Sequence, residues 1–358
     1  MTATGMDRRV HPSDAMPVPI SDGDLASEPG VAREPLGEPG GPGGPGGPGA
    51  SGATLERIRL ADRRTLIRKA FDSSSDWMMR ATHDPGRAAT LWTSGAMDRL
   101  PRVIDPAIVR IERGPSGPAA AWVLYLEDVS AHFLRRSTMV DVAECRRVLE
   151  ALESMHEAFA GEPGADPISA DLCSLEDLLL LASPATVERE AGDHPFIDVL
   201  RGGWAAFDEL APEDVREAVH RILAEPAGLA RALRAEGSTL IHADPHYGNI
   251  APAPDRFYVI DWGLAAWAPA AVDFAWWLDQ SSSFLGPSRD ELLMAFRLAE
   301  GGRYSQPALE LALLAELVLA GWQYGTALDS NDPERRARRR ADFEWWAARA
   351  RIGLERLG

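Results

Sequence analysis

Two kinds of hydrophobic pattern divide the chain after its first fifty or so residues. Leu55–Leu60 and Thr65–Phe71 read as two strands around the polar turn Ala61-Asp62-Arg63-Arg64; a helix follows at Gly86–Gly95, then strands near Ile108–Glu112 and Ala120–Leu126. Beyond residue 127 the period lengthens. Val142, Val148, Leu149, Leu152, Met155 and Phe159 recur at helical spacing, and further helices are predicted at Pro195–Leu210, Pro212–Ala224, Ala271–Asp279, Arg289–Ala299 and Pro307–Thr326. Into this helical half is set a short apolar strand, Thr239-Leu240-Ile241, then a polar loop, His242 to Asn249. A β-hairpin follows, turning at Pro252–Asp255, and its second arm, Phe257–Ile260, leads into Asp261-Trp262-Gly263. A small sheet with one helix followed by a helical body predicts an α+β chain of two lobes.

The first 53 residues carry no such pattern. They end in Gly-Gly-Pro repeats between Gly40 and Gly49 and lack the apolar core of an export signal, so they read as a disordered tail. The domains expected are therefore the tail (1–53), a β-rich N-lobe (54–126) and a helical C-lobe (127–358). No stretch reaches the roughly 18 apolar residues of a membrane span. The nearest, Ala308–Trp322, is broken by Glu310 and Glu316 and reads as a buried helix. Among 358 residues, 45% are hydrophobic, enough to give both lobes cores, and the two cysteines, Cys145 and Cys173, make no disulfide framework or metal pattern. The expectation is a cytoplasmic protein without a membrane partner.

Chemistry concentrates between His242 and Asp261. Moving a γ-phosphoryl group requires a carboxylate to orient and deprotonate an acceptor hydroxyl, and oxygen ligands to hold Mg²⁺ against the triphosphate. Asp244 suits the first task. The hairpin folds Asn249 and Asp261 beside each other, giving an amide oxygen and a carboxylate, the hard ligands that Mg²⁺ prefers. His242 reads as a structural brace. Far upstream stands the only lysine among 37 basic residues, Lys69, on the second predicted strand. In a chain whose default cation is arginine, one compact ammonium points to a phosphate contact.

His-x-Asp-x-x-x-x-Asn, the short hairpin, Ile-Asp-Trp-Gly and then Pro269-x-x-x-Asp273-Phe274-Ala275 together resemble the aminoglycoside phosphotransferase and choline-kinase-like branch of the protein-kinase-like superfamily. The match is close over about forty residues and weaker from roughly Thr54 to the C-terminus. It implies a bilobal protein-kinase-like fold, ATP and Mg²⁺ as cofactors, and a small-molecule kinase that phosphorylates an alcohol group. It implies that Asp273 ties down the catalytic loop from the following helix, and that Lys69 contacts the α- and β-phosphates. Tyr125–Ser130 resembles the family's hinge, placing Leu126, Glu127 and Val129 against adenine. Val142–Phe159 resembles the long helix supporting the catalytic loop, where His156 reads as a packed histidine.

The chain departs from the family in three places. Ala243 replaces a loop glycine. Ala88 stands where the helix after the lysine strand should carry a glutamate, leaving Asp72, Asp76, Asp84 or Asp261 to pair with Lys69. The strand and glycine-rich turn that should precede Leu55 are expected to be missing, with Ser51-Gly52-Ala53 at most a rudimentary phosphate cover. These departures keep open a degenerate nucleotide or metabolite binder. A third reading takes His242, Asp244 and His246 as zinc ligands of a hydrolase, which Pro245 disfavours. The formal charge is −17, and residues 141–236 hold 21 acids against 8 basic residues. That surface disfavours nucleic acid and would steer a cationic acceptor, or simply be a solvated face. Arg335–Arg340 and the tryptophans, Trp276 and Trp277 included, read as solvated face and core.

Overall fold

The computed structural model describes residues 6–7, 32–36, 51–114, 121–135, 137–161, 167–192, 194–328 and 333–358. The N-lobe contains β1 (Met6–Asp7), β2 (Ala32–Pro35), β3 (Thr54–Arg59), β4 (Thr65–Asp72), helices α1 (Trp77–Ala81) and α2 (Arg87–Thr93), then β5 (Ile104–Asp105), β6 (Ile108–Arg113) and β7 (Ala121–Glu127). Six strands form one antiparallel sheet in the order β1-β6-β7-β4-β3-β2. Strand β7 is buried on both faces: Val123 and Tyr125 pack outward with Ile58, Leu60 and Leu66, while Trp122, Leu124 and Leu126 join the main core. On β4, Lys69 falls between Ile67 and Phe71 in the alternation, so it points to the face turned toward the C-lobe.

One expectation is corrected here. A strand does precede Leu55: β2 pairs antiparallel with β3, Arg33 opposite Ile58. The Gly-Pro run, residues 40–49, lies outside the described residues, as does most of the rest of the segment before residue 51.

The C-lobe comprises α3 (Val142–Ala158), α4 (Leu175–Leu180), α5 (Pro184–Arg189), α6 (Pro195–Leu210), α7 (Glu213–Ala224), α8 (Ala227–Ala235), strands β8 (Thr239–Ile241), β9 (Ile250–Pro252), β10 (Phe257–Val259) and β11 (Ala266–Ala268), then α9 (Ala271–Gln280), α10 (Arg289–Glu300), α11 (Gln306–Leu328) and α12 (Pro333–Leu357). Helix α11 is buried almost all round from Ala308 to Ala320, which is why its sequence lacks a polar face; it packs against α6, α9 and α12. The hairpin β9–β10 is joined by β5 in parallel, and β11 returns antiparallel to β8 with Ala266 opposite Ile241. The loop before Asn249 and the turn after Asp261 are thus clamped between two small sheets. Cys145 and Cys173 are free and buried, and burial pushes both thiols up to about 12. Arg338, Arg339 and Arg340 pair with Glu334, Asp342 and Glu344 on their own helix. Among the described residues no helix is long and apolar enough to cross a membrane.

Candidate active site

Asp273, fully buried on α9, holds the loop that follows β8. Its Oδ2 accepts the His242 N–H at 3.0 Å and its Oδ1 the Ala243 N–H at 2.7 Å. To present that N–H, Ala243 adopts a left-handed conformation, φ +63°. This is the position where the resemblance calls for glycine, and the methyl is carried at a cost of about 1–2 kcal/mol. The His242 ring is spent on the backbone as well: Nε2 donates to the Ile260 carbonyl at 2.9 Å and Nδ1 accepts the Asp244 N–H at 3.2 Å. It lies edge-on against Trp262, 4.7 Å between ring centres. With both nitrogens engaged, His242 has no lone pair for a metal, which removes the His242-Asp244-His246 zinc reading.

The Asp244 carboxylate is gripped from two sides. Asn249 Nδ2 donates to Oδ2 at 2.7 Å and Trp276 Nε1 to Oδ1 at 2.8 Å, while His246 Nε2 lies 3.4 Å from Oδ1. Burial raises the Asp244 pKa above the usual carboxylate value; His246, His242 and the Trp276 N–H oppose that rise and nearby Asp261 adds to it. Trp276 was expected in the core, yet it is only partly buried and touches the central carboxylate. The signal was its spacing: on a helix, Asp273 and Trp276 are three apart and share a face.

Lys69 takes its acid from Asp261, Nζ to Oδ1 at 2.7 Å. Burial works against the ammonium, but Asp261, with Asp76 and Asp84 farther off, more than offsets it and holds the Lys69 pKa high. Burial likewise works to raise Asp261, but the Lys69 charge and hydrogen bond win and hold it low. The other three acids have separate work. Asp72 accepts N–H groups of Ser74 and Ser75; Asp84 accepts those of Gly86 and Arg87. Asp76 caps α1 through Met79 N–H and takes the Ser51 hydroxyl at 2.6 Å. Ser51 is therefore committed to α1 and leaves no hydroxyl for phosphate cover. The chain passes so close there that a Cβ on Gly52, at φ +107°, would meet the Ser75 carbonyl oxygen at 2.3 Å.

In place of the expected acid on α2 stands a neighbouring base. Arg87, 2% exposed, donates to the Gly263 carbonyl at 2.9 Å, to the Thr82 hydroxyl at 3.0 Å and to the Thr82 carbonyl. Helix α2 thus grips the Asp261-Trp262-Gly263 turn through its backbone. Ala88 beside it is buried, so a glutamate there would bury a charge whose intended partner, Lys69, is already engaged.

At the lobe junction β7 ends in Leu126 and Glu127. Glu127 donates its N–H to the Ala107 carbonyl at 2.8 Å, and the Val129 carbonyl accepts from His132. Asp128 is fixed by the Ser130 N–H at 3.1 Å and by Arg57 Nε at 2.9 Å.

A β-sheet lobe carrying a lysine over a helix-pinned loop defines a protein-kinase-like phosphotransferase architecture. The chain belongs to the phosphotransferase enzyme family known as APH, whose profile matches residues 99–312, more than half its length. Among solved structures it is similar to a microcompartment-associated aminopropanol kinase at 16% identity, covering 92% of this chain and 95% of that one with a TM-score of 0.49. A spectinomycin phosphotransferase crystallised with ADP and spectinomycin shares 13% identity over 90% and 92% of the two chains, TM-score 0.47. Choline kinase LicA from Streptococcus pneumoniae shares 14% over 82% and 89%, TM-score 0.45. No curated protein sequence matches.

Proposed function

We propose that the protein transfers the γ-phosphoryl group of ATP to a hydroxyl of a small molecule, with Asp244 as the base. The observation that carries this reading is the pair of donors on Asp244: Asn249 and Trp276 hold its two oxygens in place, and the carboxylate remains partly open to solvent beside them. A carboxylate so oriented, with its pKa lifted by burial, is suited to take a proton from a bound alcohol. Asn249 spends its Nδ2 on Asp244, which leaves its Oδ1 as a ligand atom, and Asp261 uses Oδ1 for Lys69, which leaves Oδ2. These two oxygens fit Mg²⁺, which when bound neutralises charge on the phosphates. Lys69 supplies a fixed positive charge for the α- and β-phosphates, Leu126 and Glu127 border the adenine, and the Val129 N–H pairs with its edge. His242 and Asp273 act by holding the loop.

Ala88 does not argue for a nucleotide binder that transfers nothing, since Lys69 has Asp261 as its acid. The acceptor side is the acidic C-lobe, and long-range attraction there favours a cationic alcohol such as an amino alcohol or aminosugar. The test is ATP consumption with Mg²⁺ across a panel of amino alcohols, aminosugars and neutral alcohols. Stimulation by the cationic members is expected, with Asp244→Asn cutting turnover by about 10²–10⁴ at nearly unchanged ATP affinity. Nucleotide binding with no acceptor-stimulated turnover would favour the binder, and full activity of Asp244→Asn would remove the base.

A further inference from the structure

Behind the loop, on the far side of Asp273, three ligand-type side chains converge. Glu153 and His156 are one turn apart on α3 and share a face; Glu300 reaches them from the end of α10. They are 7%, 4% and 6% exposed, and one ligand atom from each lies within 4.8 Å of the other two. His156 Nε2 lies 3.0 Å from Asp273 Oδ2. Because Asp273 already accepts the His242 and Ala243 N–H groups, it is the acceptor here too, and the ring proton sits on Nε2. The other nitrogen, Nδ1, then offers a lone pair. It is buried, has no hydrogen-bond partner, and lies 4.0 Å from Glu300 Oε1. On Glu153, Oε2 also lacks a hydrogen-bond partner, and Oε1 meets only the guanidinium of Arg303. The nearby cation is Arg303, on the turn after α10, which pairs with Glu153 but is 45% exposed and also 3.5 Å from Glu157. Buried carboxylates facing an imidazole lone pair are unfavourable unless a cation or a proton lies among them.

We propose that Glu153, His156 Nδ1 and Glu300 form a site for one divalent transition-metal ion of the Zn²⁺ type. One imidazole and two carboxylates suit Zn²⁺ and Co²⁺, whereas the oxygen pair Asn249 and Asp261 suits Mg²⁺. The contact from His156 Nε2–H to Asp273 is the carboxylate partner that orients a ligating histidine and fixes its tautomer. An ion here displaces Arg303 toward Glu157 and locks His156 against Asp273. The site thereby braces the residue that holds His242 and Ala243, from the side away from the nucleotide.

The test uses metal-free full-length protein, titrated with Co²⁺ by its visible absorption and with Zn²⁺ by equilibrium dialysis and metal analysis. The Asp261→Ala variant silences the oxygen site in the cleft. One Co²⁺ per chain is expected in both parent and Asp261→Ala, with Glu153→Gln and Glu300→Gln each binding at least tenfold more weakly. Zn²⁺ should raise the thermal midpoint of the parent but not that of Glu300→Gln. Arg303→Ala, which removes a competitor without touching a ligand, should bind as tightly or more so. That variant decides the matter if the glutamine variants fail to fold, since tenfold weaker binding in it overturns the site. The site is equally overturned if neither ion is retained, or if Asp261→Ala loses the ion while Glu300→Gln keeps it. A proton shared by Glu153 and Glu300, with Arg303, would then account for the cluster.

Discussion

Trp276→Phe keeps an aromatic ring but gives up the pyrrole ring and, with it, the one N–H that Trp276 donates to Asp244. The parent contact is a 2.8 Å hydrogen bond to a carboxylate. Such bonds exceed neutral ones by about 1–1.5 kcal/mol. At 1.36 kcal/mol per pKa unit, losing that excess moves the Asp244 pKa up by about one unit from a value that burial has already raised. A carboxyl with a raised folded pKa contributes stability that is full below its unfolded value near 3.8 and lost as pH rises through the folded pKa. The variant therefore loses about 1–1.5 kcal/mol more than the parent at pH 7. Below the unfolded value the charge-dependent part of this difference vanishes. In catalysis the same shift appears as an acid limb of kcat/KM displaced about one unit toward higher pH, with the plateau largely kept. The profile would be measured with whichever acceptor the panel yields, and stability by urea unfolding at pH 7. An acid limb at the parent's pH would refute the role of Trp276 as a donor to the base.

Lys69→Arg keeps the charge but replaces a compact ammonium with a wide fork; phosphotransfer should fall at least tenfold, and parental turnover would show that the lysine has no particular part. Asp261→Ala should weaken the Mg²⁺ dependence of ATP binding and unpair Lys69, read by titrating Mg²⁺ at fixed ATP; an unchanged titration would count against the oxygen pair. Gly52→Ala forces a side chain into a left-handed backbone against the Ser75 carbonyl, and unfolding in urea should show a loss of about 3 kcal/mol or more. A loss below about 1 kcal/mol would mean that the chain near Ser51 shifts freely.

Much of the site was legible because its residues are bound to one another by short sequence distances. The loop from His242 to Asn249, the hairpin and Asp261 lie within twenty residues, and a 2.9 Å bond from His242 to the Ile260 carbonyl joins their ends. Helix α3 was legible from periodicity and α11 from its long apolar run, and both fall within two residues of their expected limits. What stayed hidden depends on long-range pairing. Strand β2, Ala-Arg-Glu-Pro, has no apolar alternation, and only its bonds to β3 make it a strand. Strand β11 is three residues and exists by pairing with β8. Arg87 drew no reading from the sequence, because nothing in its neighbours announces that Thr82 and Gly263 would surround it. The choice of Asp261 among four acids as the partner of Lys69 spans 192 positions and could be made only in three dimensions.

The buried guanidinium of Arg87 has a pharmacological consequence. Swinging the Asp261-Trp262-Gly263 turn outward would strip Arg87 of the Gly263 carbonyl and free the Trp262 indole from the Val259 carbonyl. Losing a hydrogen bond from a charged group costs about 1.5–3 kcal/mol and a neutral one about 0.5–1.5 kcal/mol. A swung-out turn would therefore be populated at roughly one part in 10 to 10³, and a compound that binds only that shape would lose affinity by the same factor. Inhibitors of this chain should be sought among ligands that fit the turn as it stands.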